Sequence, residues 1–401
     1  MKVVQINAVY EFSSTGRTTM EMHQSLKAQG IDSIVFSAKN HIPNEQVYMI
    51  GNKLDHKIHA LGSRIFGRQG YFSYISTKKL LSHIDRIGPD IVILRNLHGN
   101  FINIPLLLRF LGKKNIATIV VLHDCWFFTG HCCHYTEDKC FKWEVGCHHC
   151  PILHTYNKSL FFDNCRSIFN MKKVLFNNIP RLAVVGVSDW ITTEGMKSPI
   201  FKNAKIIRRL YNWIDLGKFY PRTSNRIREE LGLETKDFVA LGVAQQWTDR
   251  KGLKNIIQAA KRLPNMKFVL VGNKPNIQAP SNIIFPGVCS SVDRLAEYYS
   301  MADVFINFSI QETFGKAAAE SLSCGTPLIV NNATANPELC GNGCGYVIDS
   351  NHESDIINAL HSAASMKSKE YNKDCRQFAE NTFDKEKIIK QYLSLFEELK
   401  L

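Results

Sequence analysis

Short, wholly apolar runs separated by stretches of helix length constrain this 401-residue chain more than any other feature. Ile91-Val-Ile-Leu94 and Ile119-Val-Val-Leu122 carry an apolar side chain at every position, so as strands they must be covered on both faces. Strands of that kind alternating with helices predict parallel sheets packed between helical layers, an α/β architecture. In the first half, Val3 to Asn7 and Ser33 to Ser37 are predicted strands; Ser13 to Arg17 reads as a turn, and Thr18 to Gln29 as a helix closed by Gly30. A hinge falls near residues 204–221. The pattern then repeats, with strands at Phe238–Val243, Lys267–Val271, Val304–Phe308 and Leu328–Val330 and helices at Lys254–Leu263 and Arg294–Met301. A chain of this length that is 45% hydrophobic is too large for one ordinary core. We therefore expect two domains, residues 1–205 and 206–383, and a terminal segment 384–401. In that segment Ile388, Ile389, Tyr392, Leu393, Leu395, Phe396 and Leu399 recur at helical spacing. No apolar run reaches the roughly 18 residues of a membrane span, and Met1 to Val9 lacks the cleavage site of a signal peptide. The expected location is the cytoplasm.

The richest chemistry lies in Glu312-Thr-Phe-Gly-Lys-Ala-Ala-Ala-Glu320. An apolar strand precedes it and the Ala-rich stretch from Gly315 to Ser323 suits a helix, so Glu312 occupies a strand-to-helix turn. Glu320 falls roughly 10 Å further along that helix, the scale separating the sugar from the ribose of a nucleotide diphosphate sugar. The amides of Thr313, Phe314 and Gly315 at the helix start can face an anion, and glycine permits close backbone approach. Two glutamates at this spacing, taken alone, would be no more than a solvated helix face. Their surroundings change that reading: Ser321-Leu-Ser-Cys-Gly-Thr-Pro327, Leu328-Ile-Val330 and Pro337-Glu-Leu339 follow, and Asn212-Trp-Ile-Asp215, Arg250-Lys-Gly-Leu253, Gly287-Val288 and Leu295 to Tyr299 precede.

In that order these segments resemble the family 4 retaining glycosyltransferases of the GT-B fold over nearly the whole chain. The resemblance implies two Rossmann-like domains facing across a cleft, with the C-terminal helix crossing back onto the N-terminal one. It implies a cytoplasmic enzyme that moves a sugar from a UDP- or GDP-type donor to a glycan or lipid-diphosphate-linked acceptor, as in cell-surface polysaccharide synthesis, without a catalytic metal. By the same resemblance Glu312 and the amides after it hold the sugar and β-phosphate, Glu320 accepts the ribose hydroxyls, and Lys251 meets the diphosphate. Gly287 and Val288 meet the base through their backbone, and His123, directly after an apolar strand, faces the donor sugar as an active-site group. Gly16, between the first strand and its helix, touches donor phosphate or acceptor. The arginine usual in relatives would fall near Gln245 or Gln246, neither of which is basic; Arg250 stands beside Lys251 in its place. A GT-B sugar-nucleotide epimerase, or a zinc-stabilised binding protein without catalytic activity, would fit part of the same pattern.

Charge and cysteine mark the other half. Residues 1–210 hold 27 lysines and arginines against 14 aspartates and glutamates, whereas residues 211–401 hold 22 of each, so the whole formal charge of +13 belongs to the N-terminal half. Such a bias favours an anionic surface. Nothing in the chain resembles a base-reading module, so peripheral contact with the inner face of the membrane is expected, not nucleic acid. Of twelve cysteines, six lie between Cys125 and Cys150, together with His131, His134, His148 and His149 and, just before them, His123. Cys132-x7-Cys140-x6-Cys147-x2-Cys150 offers four soft ligands, the set expected for a structural zinc site in a loop spanning residues 125–151.

Overall fold

The structure, a computed structural model, describes residues 1–40, 45–155, 157–223, 225–341, 343–366 and 368–400. They form two compact units, one of Met1–Leu210 with Ile389–Leu401 and the other of Tyr211–Ile388. The first contains strands β1 (Lys2–Val9), β2 (Asp32–Lys39), β3 (Val47–Met49), β4 (Ile91–Leu94), β5 (Ala117–Leu122), β6 (Leu182–Gly186) and β7 (Ile206–Arg209). They make one sheet in the order β3-β2-β1-β4-β5-β6-β7, every pair parallel. All residues of β4, β5 and β6 are buried, as wholly apolar runs require.

The second unit contains β8 (Val239–Gln246), β9 (Lys267–Asn273), β10 (Ile283–Gly287), β11 (Val304–Asn307), β12 (Leu328–Asn331) and β13 (Gly345–Ile348), in the order β10-β9-β8-β11-β12-β13, again all parallel. Its core sets Ala240, Phe268, Leu270 and Ile306 of the sheet against Leu253, Ile256 and Ala260 of the helix Leu253–Arg262. In each sheet the direction of winding reverses once, between β1 and β4 and between β8 and β11. Loops leaving the carboxyl ends of the strands beside such a reversal are where open α/β sheets bind ligands.

Two expectations need correction, and a third, the return of the terminal helix, holds from Ile389 onward. The N-terminal unit continues to Leu210, past the expected residue 205, because β7 pairs with β6 and completes that sheet. The terminal helix begins at Lys385, and its residues from Ile389 onward belong to the N-terminal unit. Arg208 donates from both Nη1 and Nη2 to the two carboxylate oxygens of Glu398, at 2.8 Å each, within that unit; Leu401 lies outside the described residues. The expected turn at Ser13–Arg17 is instead the opening of the helix Ser13–Ala28. Asn7 at the end of β1 donates to the Thr15 carbonyl at 3.3 Å and to Thr19 Oγ1 at 2.9 Å, which secures the helix before the sequence pattern for one begins.

Candidate functional site

The loops after β8 and β11, at the reversal of the second sheet, bring together most of the residues expected to hold a donor. After β8 the chain passes through a short 3-10 turn, Asp249–Lys251, and enters its helix through Gly252 at φ 75°. A Cβ on Gly252 would lie 2.6 Å from the Cβ of Phe308, so glycine lets the two loops approach. Across that approach Lys251 Nζ meets Glu312 Oε1 at 2.5 Å, and Arg250 Nη2 donates to Gln311 Oε1 at 2.7 Å. Arg250 is thus held to the β11 loop through an uncharged amide, while Gln245 and Gln246, at the end of β8, are exposed. The Lys251 and Glu312 side chains remain 39% and 19% exposed, within reach of solvent and of a ligand.

Glu312 is fixed at its backbone as well. Its N–H donates to Thr334 Oγ1 at 2.8 Å and its carbonyl accepts from Ala335 N–H at 3.2 Å. Gly315 has φ 85°, caps the helix Lys316–Ser323, and leaves no room for a side chain, since a Cβ would stand 2.7 Å from Leu339 Cδ1. The glycine therefore turns the chain so that the helix opens directly after Thr313 and Phe314, which puts a positive helix end beside Glu312 and Lys251. Glu320 is not on a solvated face: it is 2% exposed, and Tyr299 Oη donates to its Oε2 at 2.9 Å. Gly287 ends β10 at φ 91° after a break in register with β9, and Val288 beyond it is 60% exposed.

Sequence reasoning missed the framework behind these loops. Fully buried Asn336 donates to the Ser309 carbonyl at 3.0 Å and to Asn331 Oδ1 at 2.6 Å, and accepts from Asn307 Nδ2 at 3.1 Å. One side chain so ties the ends of β11 and β12 to the turn that carries Glu312. An Asn-Pro pair in a loop looks like an ordinary turn signal, so nothing local distinguished it.

In the N-terminal unit, His123 follows β5 and Arg95 follows β4. Arg95 is fully buried and donates from Nε to Gln5 Oε1 at 3.2 Å and from Nη1 to His123 Nε2 at 3.1 Å. A guanidinium can only donate, so Nε2 accepts and the proton of the neutral ring sits on Nδ1. Burial lowers the Arg95 pKa, and burial raises the Tyr392 phenol to about 12 against the opposing pull of that cation. Arg95 was legible in principle, as the polar residue directly after an apolar strand. Next to His123, Asp124 accepts from Trp126 N–H at 2.9 Å and pairs with His98 Nε2 at 2.8 Å. Burial opposes the charge on His98, but Cys133 and Asp124 outweigh it and raise the His98 pKa well above its ordinary value.

Gly16 is the fourth residue of its helix, buried, and a Cβ there would come within 3.2 Å of the Tyr10 carbonyl carbon. Close packing of this first helical turn on the loop that leaves β1 leaves no room for a side chain here, and the Gly16 carbonyl accepts from Glu11 N–H at 3.2 Å. Cys132, Cys140, Cys147 and Cys150 line one small cavity. Among the described residues, one trio of metal-competent side chains brings an atom from each within 4.8 Å of the others, and it is His98, Asp124 and Cys133.

Comparison with known proteins fits this geometry. A family model described as glycosyl transferases group 1 matches residues 223–384. Alpha-galactosylglucosyldiacylglycerol synthase of Streptococcus pneumoniae is 30% identical over 138 residues, 30% of this chain and 36% of that protein, so the chain spans about a third of that relative's length. A putative colanic acid biosynthesis glycosyl transferase, WcaC of Escherichia coli, is 20% identical and is matched over 87% of both chains. Among solved structures, Anabaena HepE in complex with UDP and glucose superposes with a TM-score of 0.67 at 14% identity, covering 99% of this chain and all of that one. The two units have the GT-B fold.

Proposed function

With residues 223–384 forming a glycosyl transferases group 1 domain, we propose that the chain moves a sugar from a nucleotide diphosphate sugar to a glycan or lipid-linked acceptor in cell-surface polysaccharide or glycolipid synthesis. The observation that carries this reading is the Lys251–Glu312 pair beside a glycine-capped helix N-terminus, at the reversal of a parallel sheet. Lys251, Arg250 and the amides of Thr313, Phe314 and Gly315 would meet the diphosphate. Glu312 would hold the sugar hydroxyls, Glu320 with Tyr299 the ribose, and the backbone at Gly287 and Val288 the base. The UDP found with HepE supports a uridine donor ahead of a guanosine one.

The retaining route of family 4 accounts for these groups. The C1–O bond to the β-phosphate breaks, the acceptor hydroxyl attacks C1 from the same face, and its proton ends on the departing nucleotide diphosphate. Cations and helix amides fixed before the reaction stabilise the charge that grows on that leaving group, the task a divalent ion performs in other transferases. His123, its tautomer set by Arg95, would be the active-site group that the N-terminal unit supplies.

Acceptor binding falls to the N-terminal unit by its charge and its surface. On the helix Lys53–Phe66, Leu54, Ile58 and Leu61 are more than half exposed at helical spacing, flanked by exposed Lys53, Lys57 and Arg64. Apolar side chains facing water amid lysines suit peripheral contact with an anionic leaflet. No helix among the described residues is long and apolar enough to cross a membrane. Thermal shift with UDP, GDP and their sugars tests the donor reading: at least one of them should stabilise the protein, and Glu320→Ala should weaken that response. Equal response of parent and variant would remove the ribose assignment.

A further inference from the structure

We propose that the cysteine segment of the N-terminal unit holds one zinc ion in a closed site of four thiolates, Cys132, Cys140, Cys147 and Cys150, with Lys172 as its buried countercharge. The cavity these four residues line has a volume of about 20 Å³, enough for a single atom-sized occupant and too small for an organic ligand. Between β5 and the helix Cys165–Asn177 the described residues have no regular structure beyond two short 3-10 turns, Cys125–Phe128 and Lys142–Glu144. A segment of this length needs a cross-link to stay ordered.

Three observations beyond the cysteine spacing point to a metal thiolate. First, Lys172 is fully buried; its ammonium donates to the carbonyls of Trp126 at 2.5 Å and Thr129 at 3.1 Å and lies 3.4 Å from the centre of the Trp126 ring. Burial disfavours its charge, and carbonyls and a ring satisfy its hydrogens without supplying an anion. Zinc bound by four thiolates carries a net charge of −2, the partner such a buried cation requires. Second, Gly130 N–H donates to Cys147 Sγ at 3.2 Å, a bond that strengthens when the sulfur is anionic. Third, Trp143 lines the same cavity, and its indole N–H is buried without a partner among the described atoms. A thiolate sulfur would accept it.

The choice of these four follows from what the other thiols do. Cys165 also lines the cavity, but its thiol hydrogen-bonds to Asp163. That carboxylate also accepts from Cys150 N–H at 2.7 Å and so pins the C-x2-C turn to the start of the helix Cys165–Asn177. Cys133 belongs to the trio with His98 and Asp124, whose side chains already satisfy one another at 2.8 Å. The four sulfurs line one cavity but no three of them lie within 4.8 Å of one another, so on binding they draw together, four neutral thiols give up four protons to solvent and four sulfur–zinc bonds form.

Metal analysis of the full-length chain, purified in reducing buffer, tests the site without reference to activity. About one zinc per chain is expected. Cys140→Ser and Cys147→Ser should each lower zinc content at least ~10-fold, while His98→Ala and Cys133→Ser keep it. Lys172→Met should keep the metal but release it to a chelator ~10–100-fold more readily. Should the cysteine variants fail to fold, cobalt-loaded parent protein gives the answer, since only thiolate ligation produces intense sulfur-to-cobalt charge-transfer absorption. Zinc-free protein, a cobalt spectrum without that absorption, or zinc that survives Cys147→Ser and leaves with His98→Ala would overturn the proposal. Unchanged release from Lys172→Met would remove the countercharge.

Discussion

Irregular backbone is held in two different ways in the two units. The loops after β8, β11 and β12 are fixed by uncharged side chains, above all Asn336 with Asn307 and Asn331, and by the Lys251–Glu312 pair. The long segment after β5 is held largely through its own carbonyls, those of Trp126 and Thr129 by the buried Lys172, and gathers four thiols at one small cavity. The two proposed roles would account for the contrast. A site that must exchange its ligand keeps a charged pair partly exposed on a rigid polar frame, whereas a segment that only has to keep its shape can close around one atom.

Four variants or conditions break or sharpen that contrast, taken from the largest expected effect to the smallest. Lys251→Ala should lower turnover of the correct donor by ~10²–10³-fold through lost stabilisation of the leaving group, with zinc content unchanged; steady-state kinetics beside metal analysis separate the two units. Acid should act on the N-terminal unit. Burial, with smaller effects from neighbouring charges, lowers His23 and His59 from 6.5 to about 4. Between those values the unfolded chain binds protons that the native one refuses, so stability present above pH 6.5 is lost as the pH falls toward 4, by at most about 3 kcal/mol per histidine. Hydrogen exchange across that range should show the helices carrying His23 and His59 opening as acid is added. Asn336→Ala leaves buried polar groups unpaired and should cost about 1–3 kcal/mol, seen as faster exchange in residues 308–315 with residues 125–151 unaffected. Replacing Leu54, Ile58 and Leu61 together by serine should leave stability within about 0.5 kcal/mol and reduce sedimentation with anionic vesicles at low salt.

Legibility in the sequence tracked how local the determining physics is. β4 was read to the residue and β5 nearly so, because a strand buried on both faces is apolar throughout. β3, β7, β10 and β13 escaped notice because they are short or partly exposed and depend on their neighbours, and β6 was missed although it is apolar and wholly buried. Glu312, Gly315 and Glu320 stood out through their order in the chain. That Glu320 would be buried against Tyr299, and Arg250 tied to Gln311, depends on side chains 21 and 61 residues away. The stretch Ser13 to Arg17 misled for the same reason: rich in Ser and Thr, it reads as a turn until Asn7, eight residues from Thr15, secures it as a helix.

The central claim is that the loops of the second sheet bind and activate a nucleotide sugar. Its most direct test is slow release of nucleotide diphosphate from a panel of UDP- and GDP-sugars, compared between the parent and Glu312→Ala. The account predicts that one donor is hydrolysed by the parent and that the variant is at least ~100-fold slower. Release at equal rates in both proteins, or from no donor in a parent that no nucleotide stabilises, would contradict it.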